Sequence, residues 1–344
     1  MDRVFSCESY RKFGVEIELN TLDGSIKKLD LNKGEIPFGA AKIALLIRNT
    51  LKSNVEIQSW DHNYNNEFWI VKPDSSCGIE VCTPVLKGWS GLKNLIKIVE
   101  AFRSKNIQAD ERCSFHVHVN IGDLDVNQLG SVIAWYIKCE HVFMDAFPSS
   151  RKLNRYCQML GMTNLFSTDT VLDPLFLISA ISGAKYYSLN TYHFVKGGGF
   201  SYNNTRKKTI EFRIGENSMC TDGESVKNWI RLLLHFVDVA KDQPMPPAFE
   251  KGNSATGLLW LEPDEVFNFL KFNEPCSEGL KQVKKWFIKR ILNNGFDTNL
   301  PGIWSNKARF FARKNFLKLL HNLDANCEYE DSRENILYDK KYIV

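Results

Sequence analysis

With 344 residues, 44% of them hydrophobic and 24% charged, and with no low-complexity tract, the chain can form one large packed domain or two ordinary ones, and it is neither disordered nor fibrous. Lys and Arg number 44 against 40 Asp and Glu, and this net charge of +4 is too mild to indicate a nucleic-acid or membrane partner by itself. Nine cysteines form no C-x-x-C pair and leave an odd one over, which points away from a disulfide framework or zinc knuckle and toward a reducing compartment.

Residues 1–8 lack the apolar run of a signal peptide. The longest uncharged apolar stretch, Pro174 to Ala184, is too short to span a bilayer. A cytoplasmic protein with no membrane partner is expected.

In chain order, Lys12 to Leu19 (KFGVEIEL) reads as a strand, with Val15, Ile17 and Leu19 on one face and Glu16 and Glu18 on the other. Asn20 to Gly34 is turn-rich, and Phe38 to Leu51 has helical spacing. Val55–Trp60 and Phe68–Val71 read as short strands, the second running into a turn at Lys72-Pro73-Asp74-Ser75-Ser76. Gly78 to Pro84 is the next strand, and a helix is expected from Ser90, as N-cap, to Arg103. Cys113 to Ile121 is again a strand, followed by a helix over Leu124–Phe147 and a helical segment over Arg151–Leu160. Ser167 to Ala184 resists assignment.

Further on, Tyr186–Asn190 reads as a short strand, Lys196–Gly199 as a loop, Lys208–Ile214 as the last clear strand and Asp222–Lys241 as a long amphipathic helix. A proline cluster at Pro244, Pro246 and Pro247 marks a boundary between residues 1–245 and a helical region over 246–344, with helical spacing near 262–272, 278–292 and 306–320 and an acidic tail. Strands and helices alternate without a βαβ rhythm. This predicts an α+β fold with an antiparallel sheet and helices packed on one face, followed by a helical C-terminal region.

Two carboxylates ~6–7 Å apart on one strand face repel unless something cationic lies between them. Other strands repeat the device. Ser114 to Asn120 sets His116 and His118 opposite Phe115, Val117 and Val119, and Thr209 to Ile214 sets Glu211 and Arg213 opposite Ile210, Phe212 and Ile214. Each piece has a plainer reading: a lone E-x-E is ordinarily a solvated face, and E-F-R is ordinarily a cross-strand ion pair. H-x-H suits a metal better. One site that holds a divalent cation and phosphate explains all three. Glu80 and Asp74 add acids, and an oxygen-rich donor set favours Mg or Mn over zinc.

In order and spacing, K-F-G-V-E-I-E, W-I-V-K-P-D-S-S-C-G-I-E-V-C-T-P, C-S-F-H-V-H-V-N and T-I-E-F-R resemble the amidoligase family, carboxylate–amine ligases of the glutamine synthetase superfamily. The likeness runs from about Phe13 to Lys241. It implies a glutamine synthetase-like antiparallel sheet, ATP and Mg (or Mn) as cofactors, and an amide formed through an acyl phosphate. It also implies metal-binding roles for Glu16, Glu18, Glu80, His116 and Glu211, with Asp74 in a D-S turn joining them. His118 would lie near phosphate or substrate, and Arg213 would engage carboxylate or phosphate.

Arg151 and Arg155 fall where that family often has arginine and would meet phosphates; surface arginines on a helix are the alternative. Asn190 either lines the site or ends a strand. Of Arg206, Lys207 and Lys208, Arg206 is preferred as facing ATP, with solvent as the other reading.

In the C-terminal helices, basic residues from Lys281 to Lys318 interleave with Trp286, Phe287, Phe310, Phe311 and Phe316. Nucleic-acid binding is one reading, an anionic peptide or protein substrate another, and an amphipathic cap with a basic solvent face the plainest. The expected substrates are an amino acid, peptide or protein carrying a carboxylate, together with an amine. Two competing functions remain: a metal-dependent amide or phosphoester hydrolase on the same residues, and a non-catalytic binding protein that keeps the fold.

Overall fold

The computed structural model describes residues 11–20, 39–59, 67–152, 154–162, 173–182, 185–191, 208–246, 261 and 263–294. The chain forms two compact units, Met1–Ile303 and Trp304–Val344, and all described residues belong to the first. The strands are β1 (Lys12–Asn20), β2 (Val55–Ile57), β3 (Trp69–Asp74), β4 (Gly78–Cys82), β5 (Leu86–Lys87), β6 (Ser114–Asn120), β7 (Leu189–Asn190) and β8 (Thr209–Glu216). The helices are α1 (Ala40–Leu51), α2 (Gly88–Ser104), α3 (Val126–Asp145), α4 (Ser149–Lys152), α5 (Pro174–Ile181), α6 (Gly223–Ala240), α7 (Pro263–Phe269) and α8 (Glu278–Asn294).

The strands make one sheet in the order β2-β3-β4-β1-β6-β8-β7, with β5 also on β1. Among the described strands only β2 and β3 run parallel to each other; the other strand pairs are antiparallel, as expected. The period-2 strands place Ile17, Val81, Val117 and Phe212 on the face that the helices cover. Phe212 meets Tyr136 of α3 at 5.5 Å and Phe236 of α6 at 6.4 Å between ring centroids. Phe143 of α3 carries the aromatic packing on to Phe236 and to Phe287 of α8, at 5.3 and 5.7 Å. Each such ring, fully buried, stabilises the fold by about 1.5–3 kcal/mol.

The long helices start where their caps dictate. Asp125 and Gln128 form a reciprocal capping box on α3, at 2.8 and 3.1 Å, and Asp222 accepts from Glu224 N and Ser225 N at the start of α6. α2 begins two residues before the expected Ser90: β5 pairs with β1 and feeds the helix directly, and Gly88 takes the left-handed φ of 57° at the junction.

The helical expectation over Arg151–Leu160 is met only at α4 and at a 3₁₀ turn, Leu160–Met162. Amides that a helix would use internally go elsewhere. Glu140 of α3 accepts from Leu160 N at 2.7 Å and Gly161 N at 2.8 Å, and Asn154 Oδ1 accepts from Tyr156 N at 2.8 Å. Of the expected strand Tyr186–Asn190, only β7 forms, with a single bridge from Tyr187 to Gln158.

β3 runs on through the expected turn at Lys72 and Pro73 to Asp74. Its pairing with β2 ends at Val71, so Pro73 sits past the last β2 partner among the described residues and its missing N–H costs no bond in that ladder. β6 and β8 slip register between Phe115 and Val117. There Gly215 passes so close to β6 that a Cβ would lie 2.1 Å from the Phe115 carbonyl oxygen. No helix among the described residues is long and apolar enough to cross a membrane. Lys196–Gly199 and residues 306–320 lie outside the described residues.

Candidate active site

The second face of the sheet gathers the acids. Register sets Glu16 opposite His116 and Cys82, Glu18 opposite Glu80, Glu80 opposite Lys72, His118 opposite Glu211, and Glu211 opposite Asn190. These are neighbours on one surface, drawn from β3, β4, β1, β6, β8 and β7. Although Glu, His, Lys and Asn ordinarily seek water, His116, Glu211 and Asn190 are only 2–3% exposed. Burying so many polar groups is tolerable only if they satisfy one another.

Most of them do so in two groups, one around His116 and one around Glu80, while His118 Nε2 is buried without a well-aligned hydrogen bond. Glu16 Oε2 lies 3.3 Å from His116 Nδ1, and Glu16 Oε1 lies 3.1 Å from His118 Nε2. Glu18 Oε2 accepts from Ser114 N at 2.7 Å and Ser114 Oγ at 2.5 Å, and the same hydroxyl meets His116 Nε2 at 2.8 Å. Glu211 Oε2 accepts from Asn190 Nδ2 at 2.6 Å; its Oε1 accepts from Arg213 at 2.5 Å and lies 3.4 Å from His116 Nδ1. Glu80 Oε1 pairs with Lys72 Nζ at 2.7 Å and accepts from Cys82 Sγ at 2.9 Å.

The electrostatics divide the carboxylates. Burial works to raise Glu16, but His118, with His116 and Lys72, outweighs it and holds the carboxyl well below its usual range. Burial likewise opposes ionisation of Glu211, yet Arg213 and His118 keep it low. Glu18 and Glu80 go the other way: burial dominates, reinforced by Asp74 at Glu18 and by Glu16 at Glu80, and both are raised. Positive charge delivered to this face would lower both.

The expected residues do not all converge. The ligand atoms of Glu16, His118 and Glu211 lie within 4.8 Å of one another, as do those of Glu16, Glu80 and Cys82. His116 stands between three acids and Ser114. Asp74 is at the β3 end of the face, with Oδ1 turned to Ser76 N at 2.7 Å and Cys77 N at 3.1 Å, which fixes the β3–β4 turn. Arg151 is buried, donates to the Arg213 carbonyl at 2.5 Å, and its charge reaches Glu18. Arg155 is exposed and stays by Tyr156, donating to its hydroxyl at 2.7 Å, with no described contact to the acids. Arg206 lies outside the described residues.

Lys72, Cys82 and Ser114 belong to the two groups and are absent from the sequence-based set. Ser114 was within reach of sequence reasoning, because it precedes His116 at the same i, i+2 spacing that links the two histidines.

Carboxylate oxygen and imidazole nitrogen, clustered away from bulk water, fit a hard divalent ion such as Mg or Mn. On α8, Val283, Phe287 and Ile288 are buried while Lys281, Lys285 and Lys289 are exposed, the pattern of an amphipathic cap with a basic solvent face.

Residues 9–237 match the family described as "Putative amidoligase enzyme". No curated protein matches the chain. Among solved structures, a bifunctional glutathione synthetase from Pasteurella multocida is 13% identical with a TM-score of 0.37; the match covers 90% of this chain and 52% of that one, so the chain spans about half the length of that enzyme, a likeness too loose to bear on the site.

Proposed function

The chain belongs to the amidoligase family, and from that footing we propose that it is an ATP- and Mg-dependent carboxylate–amine ligase that forms an amide or isopeptide bond through an acyl phosphate. The observation that carries this reading is the convergence of Glu16, Glu18, Glu80 and Glu211 with His116 and His118 on one buried sheet face inside the family segment.

A carboxylate is a poor electrophile, and bringing it to ATP gathers negative charge. Glu16, His118 and Glu211 would hold a divalent ion that supplies positive charge opposite the phosphates. Arg213, held against Glu211 and only partly covered, and Arg151 behind it add fixed cations whose geometry is set before substrate arrives.

A substrate carboxylate oxygen attacks the γ-phosphorus and ADP departs. The amine nitrogen then attacks the acyl carbon and loses a proton to a base. Phosphate leaves carrying one oxygen of the original acid. No protein nucleophile is required. The burial of the face keeps water from the acyl phosphate. The substrates that suit this chemistry are amino acids, peptides or protein side chains bearing a carboxylate, and an amine.

The test is a phosphate-release screen with Mg-ATP against pools of amino acids and peptides, read by mass spectrometry for joined partners lighter by one water. Glu18→Gln and Glu211→Gln abolish turnover while the fold survives. Undiminished turnover in both variants, or product formed without nucleotide, refutes the reading.

A further inference from the structure

Glu211 and Arg213 lie two residues apart on β8, but the sheet does not hold them equally. Val117 pairs with Phe212 and Phe115 with Gly215, so Arg213 and Ile214 together stand opposite His116 alone. Such a bulge interrupts the ladder and re-aims the side chain it carries. Before it, Glu211 is paired on both sides, with His118 of β6 and Asn190 of β7. Beyond it, the described pairing with β6 is confined to Gly215 and Glu216. The aim of Arg213 therefore depends in part on contacts from outside the sheet.

The C-terminal end of α8 supplies them. Arg290 donates through Nη2 to Glu216 Oε1, at the end of β8, and through Nε to the Ala146 carbonyl at 3.0 Å. Asn294, one turn further along α8, donates to the same carbonyl at 3.1 Å, and its own carbonyl accepts from Lys152 Nζ at 3.0 Å. The held positions, Ala146 and Lys152, bracket α4, a single turn with little stability of its own, and α4 carries Arg151. Arg151 in turn donates to the Arg213 carbonyl at 2.5 Å. One helix end thus grips both segments that hold the arginine pair.

The grip is shielded from water. The side chains of Glu216 and Arg290 are 8% and 17% exposed, and the guanidinium lies over the Phe147 ring at 5.6 Å. A planar guanidinium that donates from two edges to two elements fixes their spacing, which a lysine's single point charge does not. The helix lies beyond residue 237, where the family segment ends, yet within the same compact unit as the sheet.

We propose that Arg290 is a positioning residue that sets Arg213 and Arg151 for the phosphates of ATP, so that a helix outside the family segment completes the nucleotide site. The inference rests on the ATP-dependent reading of the site. It gives α8 no contact with nucleotide, and no part in holding the divalent ion, because Glu211 precedes the bulge.

The experiment measures two ligands on the full-length protein: Mn²⁺, by loss of the free-ion EPR signal, and then the non-hydrolysable ATP analogue AMP-PNP at saturating Mn²⁺, by calorimetry. Arg290→Met weakens binding of the analogue by about 10–100-fold and leaves Mn²⁺ affinity at the parental value. Trp286→Phe, which removes the 3.2 Å bond from α8 to Ser225 Oγ and leaves Arg290 in place, weakens neither. Parental affinity for the analogue in Arg290→Met, equal losses of both ligands, or a comparable loss in Trp286→Phe overturns the inference while leaving the ATP reading standing. Failure of the parent to bind Mn²⁺ or the analogue overturns that reading, and this inference with it. If Arg290→Met does not fold, Asn294→Ala decides: a loss of about 2–10-fold for the analogue alone supports the assignment, and parental binding or equal losses of both ligands end it.

Discussion

Replacing Asn190 by alanine removes one donor from the site without touching any acid. Asn190 Nδ2 lies 2.6 Å from Glu211 Oε2, and both residues are 2% exposed, so no solvent replaces the bond. A buried hydrogen bond to a charged group contributes about 1.5–3 kcal/mol, and urea unfolding of metal-free Asn190→Ala should show a deficit in that range. The carboxylate also loses the contact that fixes its orientation, and changes of this kind weaken metal binding by about 10–100-fold. Mn²⁺ calorimetry reads that loss.

Asn190→Asp sharpens the test. It is nearly isosteric and sets a second carboxylate against Glu211, so the metal-free protein suffers more than with alanine. Saturating Mn²⁺ narrows the deficit, because an ion bound only by the folded state offsets the added charge. An alanine variant with parental stability and parental Mn²⁺ affinity would refute the role given to this bond. An aspartate variant whose deficit ignores Mn²⁺ would refute an ion at Glu211.

Glu140 is fully buried, and burial pushes its carboxyl from 4.5 to about 7 despite bonds from Gly161 N, Ser188 and Leu160 N. The folded chain keeps a proton that the unfolded chain releases, so between about pH 4.5 and 7 this group lowers stability as pH rises, by on the order of 3 kcal/mol. Denaturant unfolding across that window should show the decline in the parent and its loss in Glu140→Gln; equal slopes would contradict it. At Gly215 a Cβ would meet the Phe115 carbonyl at 2.1 Å, so Gly215→Ala forces β8 off β6, with a cost of about 1–3 kcal/mol or more in thermal or urea unfolding and weakened Mn²⁺ binding through displaced Glu211; an undisturbed variant would contradict the close approach.

Much of the site is legible in the sequence because its strands are simple. β1, β6 and β8 each carry functional groups at alternate positions over apolar neighbours, and a period of two admits one assignment of faces. Where local pattern and distant structure disagree, the sequence misleads. Pro73 suggests a turn and hides Lys72, because nothing local tells that β2 stops at Ile57, short of Pro73 in the ladder. The segment after Arg151 has helical spacing, but Glu140, on another element, takes its amides. Asp74 reads as one more ligand, yet its turn claims an oxygen first. Arg155 carries the same charge as Arg151 four residues earlier, and only the fold separates a buried guanidinium from an exposed one.

The central claim is that a carboxylate is activated by phosphorylation on the acid face. Once the screen identifies a substrate acid, that acid labelled with ¹⁸O in its carboxylate tests the claim directly, with inorganic phosphate analysed by mass spectrometry. The account predicts one ¹⁸O in each phosphate released, matched by one amide formed, and neither product from Glu211→Gln. Unlabelled phosphate accompanying amide formation would contradict it.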